Sequence, residues 1–369
     1  ASIAYFDFDG MVDVRVISNK ERVNSARVRP LSYKITPDCV GDTVTFSLSR
    51  PRNLSVEVNG DIFHNLHLFA NPIDKFRPSD KEIQRALKKK KGSNLIYFGP
   101  GVHNLPNDTL FVPSGTTVYI DGGARVYGNI FTEGAHDVNI FGRGEVHPDG
   151  RGAGVWVRRS KNVRIDGIVV SQLPIGQCDS VELTNVKSIS YYGWGDGMDV
   201  FSSSNVILDG VFCRNSDDCA AVYASTQGFK GGSNNVLVKN ATLWADVAHP
   251  INIGGHGDPN GMDTVQNVTF RNIDILDQAE KQIDYQGCLA INPGDNTLVR
   301  NITFENIRIE DFRNGQLVNF RISFNPKYCV STGRGIQNVL VKDVTYNGSG
   351  ENLSIIAGYD ENHKISGIW

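Results

Sequence analysis

Two short acidic segments hold the residues best suited to breaking bonds. One reads Gly193-Trp194-Gly195-Asp196-Gly197-Met198-Asp199, the other Asn215-Ser216-Asp217-Asp218-Cys219. Asp217 follows Asp196 by about 21 residues, close to the period of a short structural repeat. One turn of such a repeat would bring the carboxylates together. Crowding like charges raises the pKa of at least one carboxyl group, which then acts as an acid near neutral pH. A second carboxylate, still ionised, can activate water. Hydrolysis of a glycosidic bond needs this pair, and a single-displacement site holds the two groups ~6.5–9.5 Å apart. Asp196, Asp217 and Asp218 are therefore the candidate catalytic residues. Asp199 can line the same site or simply shape a glycine-rich turn. In a straight strand, residues 217 and 218 would face opposite ways, so the reading requires a bend or bulge there.

The segment Trp244 to Asp258 follows at a longer interval. His249 falls one repeat beyond the aspartate pair, where an imidazole can hydrogen-bond an acid and hold its protonation state. Asn252 is a further polar candidate for substrate contact. Trp194 and Tyr223 flank the acids and can stack on sugar rings, although Tyr223 serves equally well as a core residue. His249, His256 and Asp258 could instead hold a metal, but their spacing matches no strong metal pattern. Neither a metal nor a cofactor is expected.

A repeat must position these groups. From Asn94 onward a polar residue followed by Val or Ile opens one short strand after another. The instances are Asp137-Val138, Asn162-Val163, Asn185-Val186, Asn205-Val206, Asn235-Val236, Asn267-Val268, Asn301-Ile302 and Asn338-Val339. Units such as NVRIDGIVV and NVTFRNIDI read as strand, bend, strand. Short β-branched units of this kind predict an all-β solenoid, a right-handed parallel β-helix over residues 76–369, with coils stacked ~4.8 Å apart. The intervals grow from about 20 to about 37 residues after Asn205, so inserted loops should wall a groove on the later coils.

Residues 1–75 read as a small N-terminal β-sandwich. Thr43 to Leu48 alternates apolar and polar residues, as do Leu54, Val56 and Val58. One helix follows: Ser79 and Glu82 form a capping box, Ile83, Ala86 and Leu87 an apolar stripe, and Lys88 to Lys91 a basic end that Gly92 can stop. It would cap the first coil. Tyr5-Phe6-Asp7-Phe8-Asp9-Gly10 mimics a haloacid-dehalogenase phosphatase motif, but that chemistry needs alternating helices and the next 60 residues read as strands.

Bulk properties agree with this picture. The chain has 369 residues, 38 of them Gly, a formal net charge of −3, and 21% charged residues. The negative balance argues against a nucleic-acid partner. No apolar run reaches the roughly 18 residues of a membrane span. No signal peptide is visible, and the chain starting at Ala1 can be a processed form. The six cysteines contain no CxxC pair, and Cys213 and Cys219 can bridge or stand as buried thiols.

These residues resemble the polysaccharide hydrolases of the pectin-lyase-like β-helix superfamily, and most closely glycoside hydrolase family 49, the dextranases and isopullulanases. The likeness runs through Val28-Arg29-Pro30-Leu31-Ser32, Leu95 to Val102, the Asp196-Gly197 step, Asp217-Asp218, Trp244 with His249-Pro250-Ile251, and Phe320-Arg321-Ile322. The related family 28, the polygalacturonases, shares the aspartate trio. Its Asn-Thr is replaced here by Trp194-Gly195, its Gly-His-Gly by Ala248-His249-Pro250, and its final lysine by Ser323. The resemblance implies an inverting, metal-free O-glycosidase, secreted or periplasmic. Asp217 would be the acid, Asp196 and Asp218 would activate water, and Arg321 would bind substrate. The expected partner is an α-linked polysaccharide or oligosaccharide, with dextran-like chains ahead of galacturonan because the lysine is missing. Two other classes stay open. A non-catalytic carbohydrate-binding β-helix would not need clustered acids, and a lyase would need a basic residue to take the sugar proton.

Overall fold

The computed structural model describes residues 1–20, 22–88, 92–148, 150–350 and 352–369. Lys89, Lys90 and Lys91 of the basic run lie outside the described residues. The chain divides into two units, Ala1–Phe76 and Arg77–Trp369.

The first unit is a sandwich. Ser2–Phe8, Asp61–Pro72, Arg52–Val58 and Ala26–Arg29 form a four-stranded sheet in that order, and Val12–Ile17, Thr43–Leu48 and Asp38–Val40 a three-stranded one. The alternation in the sequence places Val14, Val44 and Phe46 from one sheet against Leu54, Val56 and Leu68 from the other. Arg52–Val58 departs from the expected single buried face, because Ser55 and Glu57 are buried too. Polar residues can occupy a covered face when they are satisfied. Glu57 takes ion pairs from Arg27 at 2.6 Å and Arg29 at 3.0 Å, and Ser55 accepts from Asn65 at 2.8 Å. The phosphatase-like motif is a strand here: Ser2–Phe8 runs parallel to residues 66–72.

The second unit opens with the helix Asp80–Leu87. Both halves of the capping box form, with Ser79 accepting from Glu82 N–H and Glu82 accepting from Ser79 N–H. The helix spans Asp80–Leu87, with Ile83 buried and Leu87 exposed. It lies against Leu95–Phe98, the strand that begins the first coil.

From there the chain winds as a parallel β-helix whose strands stack in three columns. One column contains Lys161–Asp166, Asp179–Thr184, Ser204–Asp209 and Ser233–Lys239. The second contains Lys187–Ile189, Phe212–Asn215 and Thr242–Ala245. The third contains Met198–Phe201, Ala220–Tyr223, Ile251–Ile253, Leu289–Ile291 and Val318–Arg321. Inward residues form continuous apolar ladders, such as Val163, Val181, Val206 and Val236.

One register in the sequence reading is corrected. Val163 pairs with Val181, and Val181 with Val206, so Ser180-Val181 fills the place assigned to Asn185-Val186. The two look alike because each coil passes through the left-handed backbone region at several corners, two of which suit Asn. Ser180, Asn205, Asn235 and Asn267 occupy the first corner, and Asn185, Asn240 and Asn272 the second. Asn side chains also link coil to coil, as in Asn235 to Asn205 at 2.7 Å and Asn301 to Asn267 at 3.1 Å.

The six cysteines are free thiols, and Cys213 and Cys219 both belong to the apolar interior. No helix among the described residues is long and apolar enough to cross a membrane.

Candidate active site

The acidic segments meet where the second column turns into the third. Asp196 sits between two glycines that cannot carry a side chain. A Cβ at Gly195 would press on Ser216 Oγ, Tyr192 O and Ser190 Oγ, and one at Gly197 on Cys219 O and Asn215 Oδ1. The close approach lets Gly197 N–H donate to Asp218 O at 2.8 Å, and Cys219 N–H donates in turn to His249 O at 2.9 Å. Three successive coils thus place Asp196, the Asp217-Asp218 pair and His249 side by side. Asn215 fastens the first two, with Nδ2 donating to Asp196 O at 3.1 Å and to Ser190 Oγ at 3.0 Å.

Residues 216–219 form the required bend between Phe212–Asn215 and Ala220–Tyr223. Asp217 and Asp218 therefore point to one side. Each of the three aspartates offers a carboxylate oxygen within 4.8 Å of the others. The side chains converge rather than splay, so the nearest oxygens lie closer than the ~6.5–9.5 Å carboxyl separation expected from sequence.

Asp218 is 5% exposed and held from four directions. His249 N–H and Nδ1 reach Oδ1 at 3.0 and 2.7 Å, while Asn252 Nδ2 and the Tyr223 hydroxyl donate to Oδ2 at 2.8 and 2.5 Å. Burial opposes ionisation of Asp218, but His249, Asn252 and Tyr223 together hold its pKa below the ordinary carboxylate value. Asp217 behaves oppositely: burial, then the charge of Asp218, push it up to about 7. Asp196 is also raised well above the ordinary value, by burial and then by Asp217 and Asp218. Protonating Asp217 removes one of those charges, so the trio holds a proton that Asp217 and Asp196 can share beside an ionised Asp218.

The trio opens into a cavity of about 560 Å³ whose walls include Trp194, Asp199, His249, Glu280, Tyr285 and Tyr328. Asn252 and Asp199 belong to its floor, on outward positions of the third column with Ala221 between them. Asp199 lies in a strand, not in the turn allowed for it. It is 5% exposed and held well above the ordinary carboxylate pKa by burial and then by Asp196, Asp218 and Asp217. Among the described residues, Asp199 Oδ1, His249 Nε2, Asn252 Oδ1 and Asn292 Oδ1 have no partner within the protein, so the cavity floor keeps hydrogen-bonding capacity for a ligand.

Two expected residues have tight surroundings of their own. Tyr223 lines the cavity but is 7% exposed: its ring stacks on Phe201 at 5.8 Å and meets His256 at 5.1 Å, and its hydroxyl donates to Asp218. Arg321 does not line the cavity. Its guanidinium donates to Asp284 Oδ1 at 2.8 Å and Asp284 O at 3.0 Å. Trp194 does line it, 65% exposed, and meets Tyr328 edge-on at 6.4 Å. Tyr285, Tyr328 and Glu280 have no periodic signature and were not anticipated. The long intervals after Asn267 and Asn301 flagged the loops that carry Tyr285 and Tyr328, but not which of their residues face the cavity.

Among the described residues the only carboxylate or histidine group spaced to share a cation is the aspartate trio. His249 is instead bound to Asp218, and Asp258 pairs with Lys230 at 3.4 Å.

The chain is similar to several known proteins. The model of Glycosyl hydrolases family 28 matches residues 149–367, more than half of the chain. A polygalacturonase of Juniperus ashei is 26% identical over 295 residues, covering 71% of this chain and 54% of its own length. A probable endopolygalacturonase D of Emericella nidulans is 26% identical over 311 residues, covering 75% and 55%. The chain thus spans about half the length of these relatives. Among solved structures, the family 28 exopolygalacturonase of Yersinia enterocolitica aligns with a TM-score of 0.63 at 15% identity, covering 88% of this chain and 78% of that one. Dex49A from Penicillium minioluteum aligns with a TM-score of 0.58 at 13% identity, covering 98% and 83%. The likeness to family 49 is one of fold.

Proposed function

The chain belongs to family 28 of the glycosyl hydrolases, and from that premise we propose that it hydrolyses an α-linked polysaccharide by single displacement. Asp217 donates its proton to the glycosidic oxygen as the bond to the anomeric carbon breaks. Asp218, with Asp196, orients a water on the opposite side of the sugar and takes its proton as the new C–O bond forms. The observation that carries this reading is the opposed titration of neighbouring carboxyls: Asp217 raised to about 7 and Asp218 held low, on one open cavity. A binding protein with no reaction to run has no need to crowd three acids together.

Two substrate classes remain. The curated relatives support a pectin-type galacturonan, and Ser323 in place of a lysine supports a dextran-like glucan. A secreted or periplasmic site of action is part of the same proposal. The test is a screen of wild type and Asp217→Asn on dextran, pullulan, polygalacturonate and arabinans, with product anomers followed by NMR. Loss of turnover by about 10²–10⁴ in the variant and inversion at the anomeric carbon are expected. Near-normal turnover removes Asp217 from the mechanism, and retained configuration excludes single displacement.

A further inference from the structure

The cavity lining is rich in carboxyl groups and poor in cations. Asp196, Asp199, Asp217, Asp218, Glu280 and Asp284 all line it. Among the described residues, the one lysine or arginine on the lining is Lys327, an exposed side chain whose Nζ lies over the Tyr328 ring at 4.7 Å. Of the two histidines, His256 is shifted towards its neutral form by burial, and His249 is bound to Asp218. Arg321 stands just behind the wall, but Asp284 holds its guanidinium through both a carboxylate and a carbonyl oxygen. A sugar carboxylate entering here would meet a wall of carboxyl groups and one exposed ammonium, Lys327, in a site where water screens poorly.

What the cavity offers instead is aromatic surface. Trp194 meets Tyr328 at 6.4 Å, Tyr328 meets Tyr285 at 4.9 Å, and Tyr285 meets His249 at 6.2 Å. These rings form an unbroken arc from the open mouth to the group that holds Asp218. Trp194 comes from the coil that carries Asp196 and Tyr328 from a loop several coils later, so the arc runs along the solenoid as a polymer would. Aromatic faces stack on the apolar faces of pyranose rings without needing charge.

We propose that this cleft takes an uncharged glycan stacked along Trp194, Tyr328 and Tyr285, and that Asp284, by occupying Arg321, excludes free uronates. The proposal rests on the hydrolase reading above and names the substrate class of the same site.

The test is calorimetric titration of Asp217→Asn, which binds without turnover. The probes are dextran and pullulan oligosaccharides, oligogalacturonate, and the same oligogalacturonate with its carboxyls reduced to alcohols. The last pair differs in charge and not in linkage. At least one uncharged probe should bind ten-fold or more tighter than oligogalacturonate. Added salt should strengthen the residual binding of oligogalacturonate and leave the uncharged probe unchanged. In the same background, Trp194→Ala should weaken the uncharged probe about ten-fold, and Asp284→Asn should narrow the charge discrimination several-fold. Oligogalacturonate binding as tightly as every uncharged probe, or no uncharged probe binding at all, overturns the proposal. The two readings fail separately. Turnover that survives Asp217→Asn sinks the mechanism and leaves the binding preference standing. Asp217-dependent turnover with a preference for oligogalacturonate sinks only the charge rule.

Discussion

The asparagine corner and the aspartate bend are built alike and behave as opposites. Both stack short polar side chains from coil to coil at the end of a strand. At the corner, Asn235 donates to Asn205 at 2.7 Å and Asn338 to Asn301 at 3.1 Å, on an exposed edge where every group has a partner or water. At the bend, like charges are stacked and half-buried, Asp217 and Asp196 are pushed above their ordinary pKa, and buried polar atoms of Asp199, His249 and Asn252 face the cavity without protein partners. The same scaffold yields a stabilising ladder when the stacked groups are neutral amides, and a strained, reactive cluster when they are acids.

Five experiments break or sharpen that contrast. The largest effect is expected from Asp218→Ala, which removes the ionised member of the trio and leaves Tyr223, Asn252 and His249 without their shared acceptor. Turnover should drop by about 10³–10⁴, measured as kcat/KM on whichever polymer the screen identifies; a loss under tenfold would show that the bend is not the reacting centre. Next comes the pH profile. If Asp217 is the acid, kcat/KM falls as pH rises through about 7, where its proton is lost. A rate that stays level to pH 9 would assign the proton elsewhere.

Stability carries the opposite mark. Asp217 has a higher pKa folded than its ordinary 3.8, so the folded chain binds the extra proton between pH 3.8 and about 7. Its contribution is fully present below 3.8 and lost as pH rises through about 7. Asp217→Asn should therefore raise the Tm by about 2–4 °C at pH 8 and leave it unchanged at pH 3. The corner should do the reverse. Asn235→Ala puts an alanine at φ 56° and deletes a ladder bond, costing about 1–2 kcal/mol in urea unfolding with activity unchanged. The smallest change is expected from Asp199→Asn. A carboxyl already held neutral by burial and its acidic neighbours tolerates an amide of the same shape, and kcat should stay within about twofold. A collapse of activity there would mean that Asp199 works as an ion.

Much of this was visible in the chain itself. The repeating Asn-Val steps announced the coils, because a left-handed corner residue followed by an inward β-branched one is a local demand, met within a few residues. The capping box at Ser79 and the alternating Thr43 to Leu48 strand are local in the same sense. The aspartate trio was legible because its spacing is one coil. Where the reading slipped, at Asn185, two corners of one coil carried the same residue type and only the backbone pairing told them apart. The surroundings of Tyr223 and Arg321 were hidden for another reason. Their roles are set by partners far along the chain, Phe201 and Asp218 for one and Asp284 for the other, and no periodicity encodes such meetings.

Sequence by itself determined the solenoid, the two-unit order and the identity of the three acids, since each is written in short-range pattern or in a spacing equal to the repeat. Tertiary structure alone decided which acid keeps its charge, which cation is silenced and which rings line the cleft. Those properties belong to burial and to loop-to-loop distance, and both exist only once distant coils have been brought together.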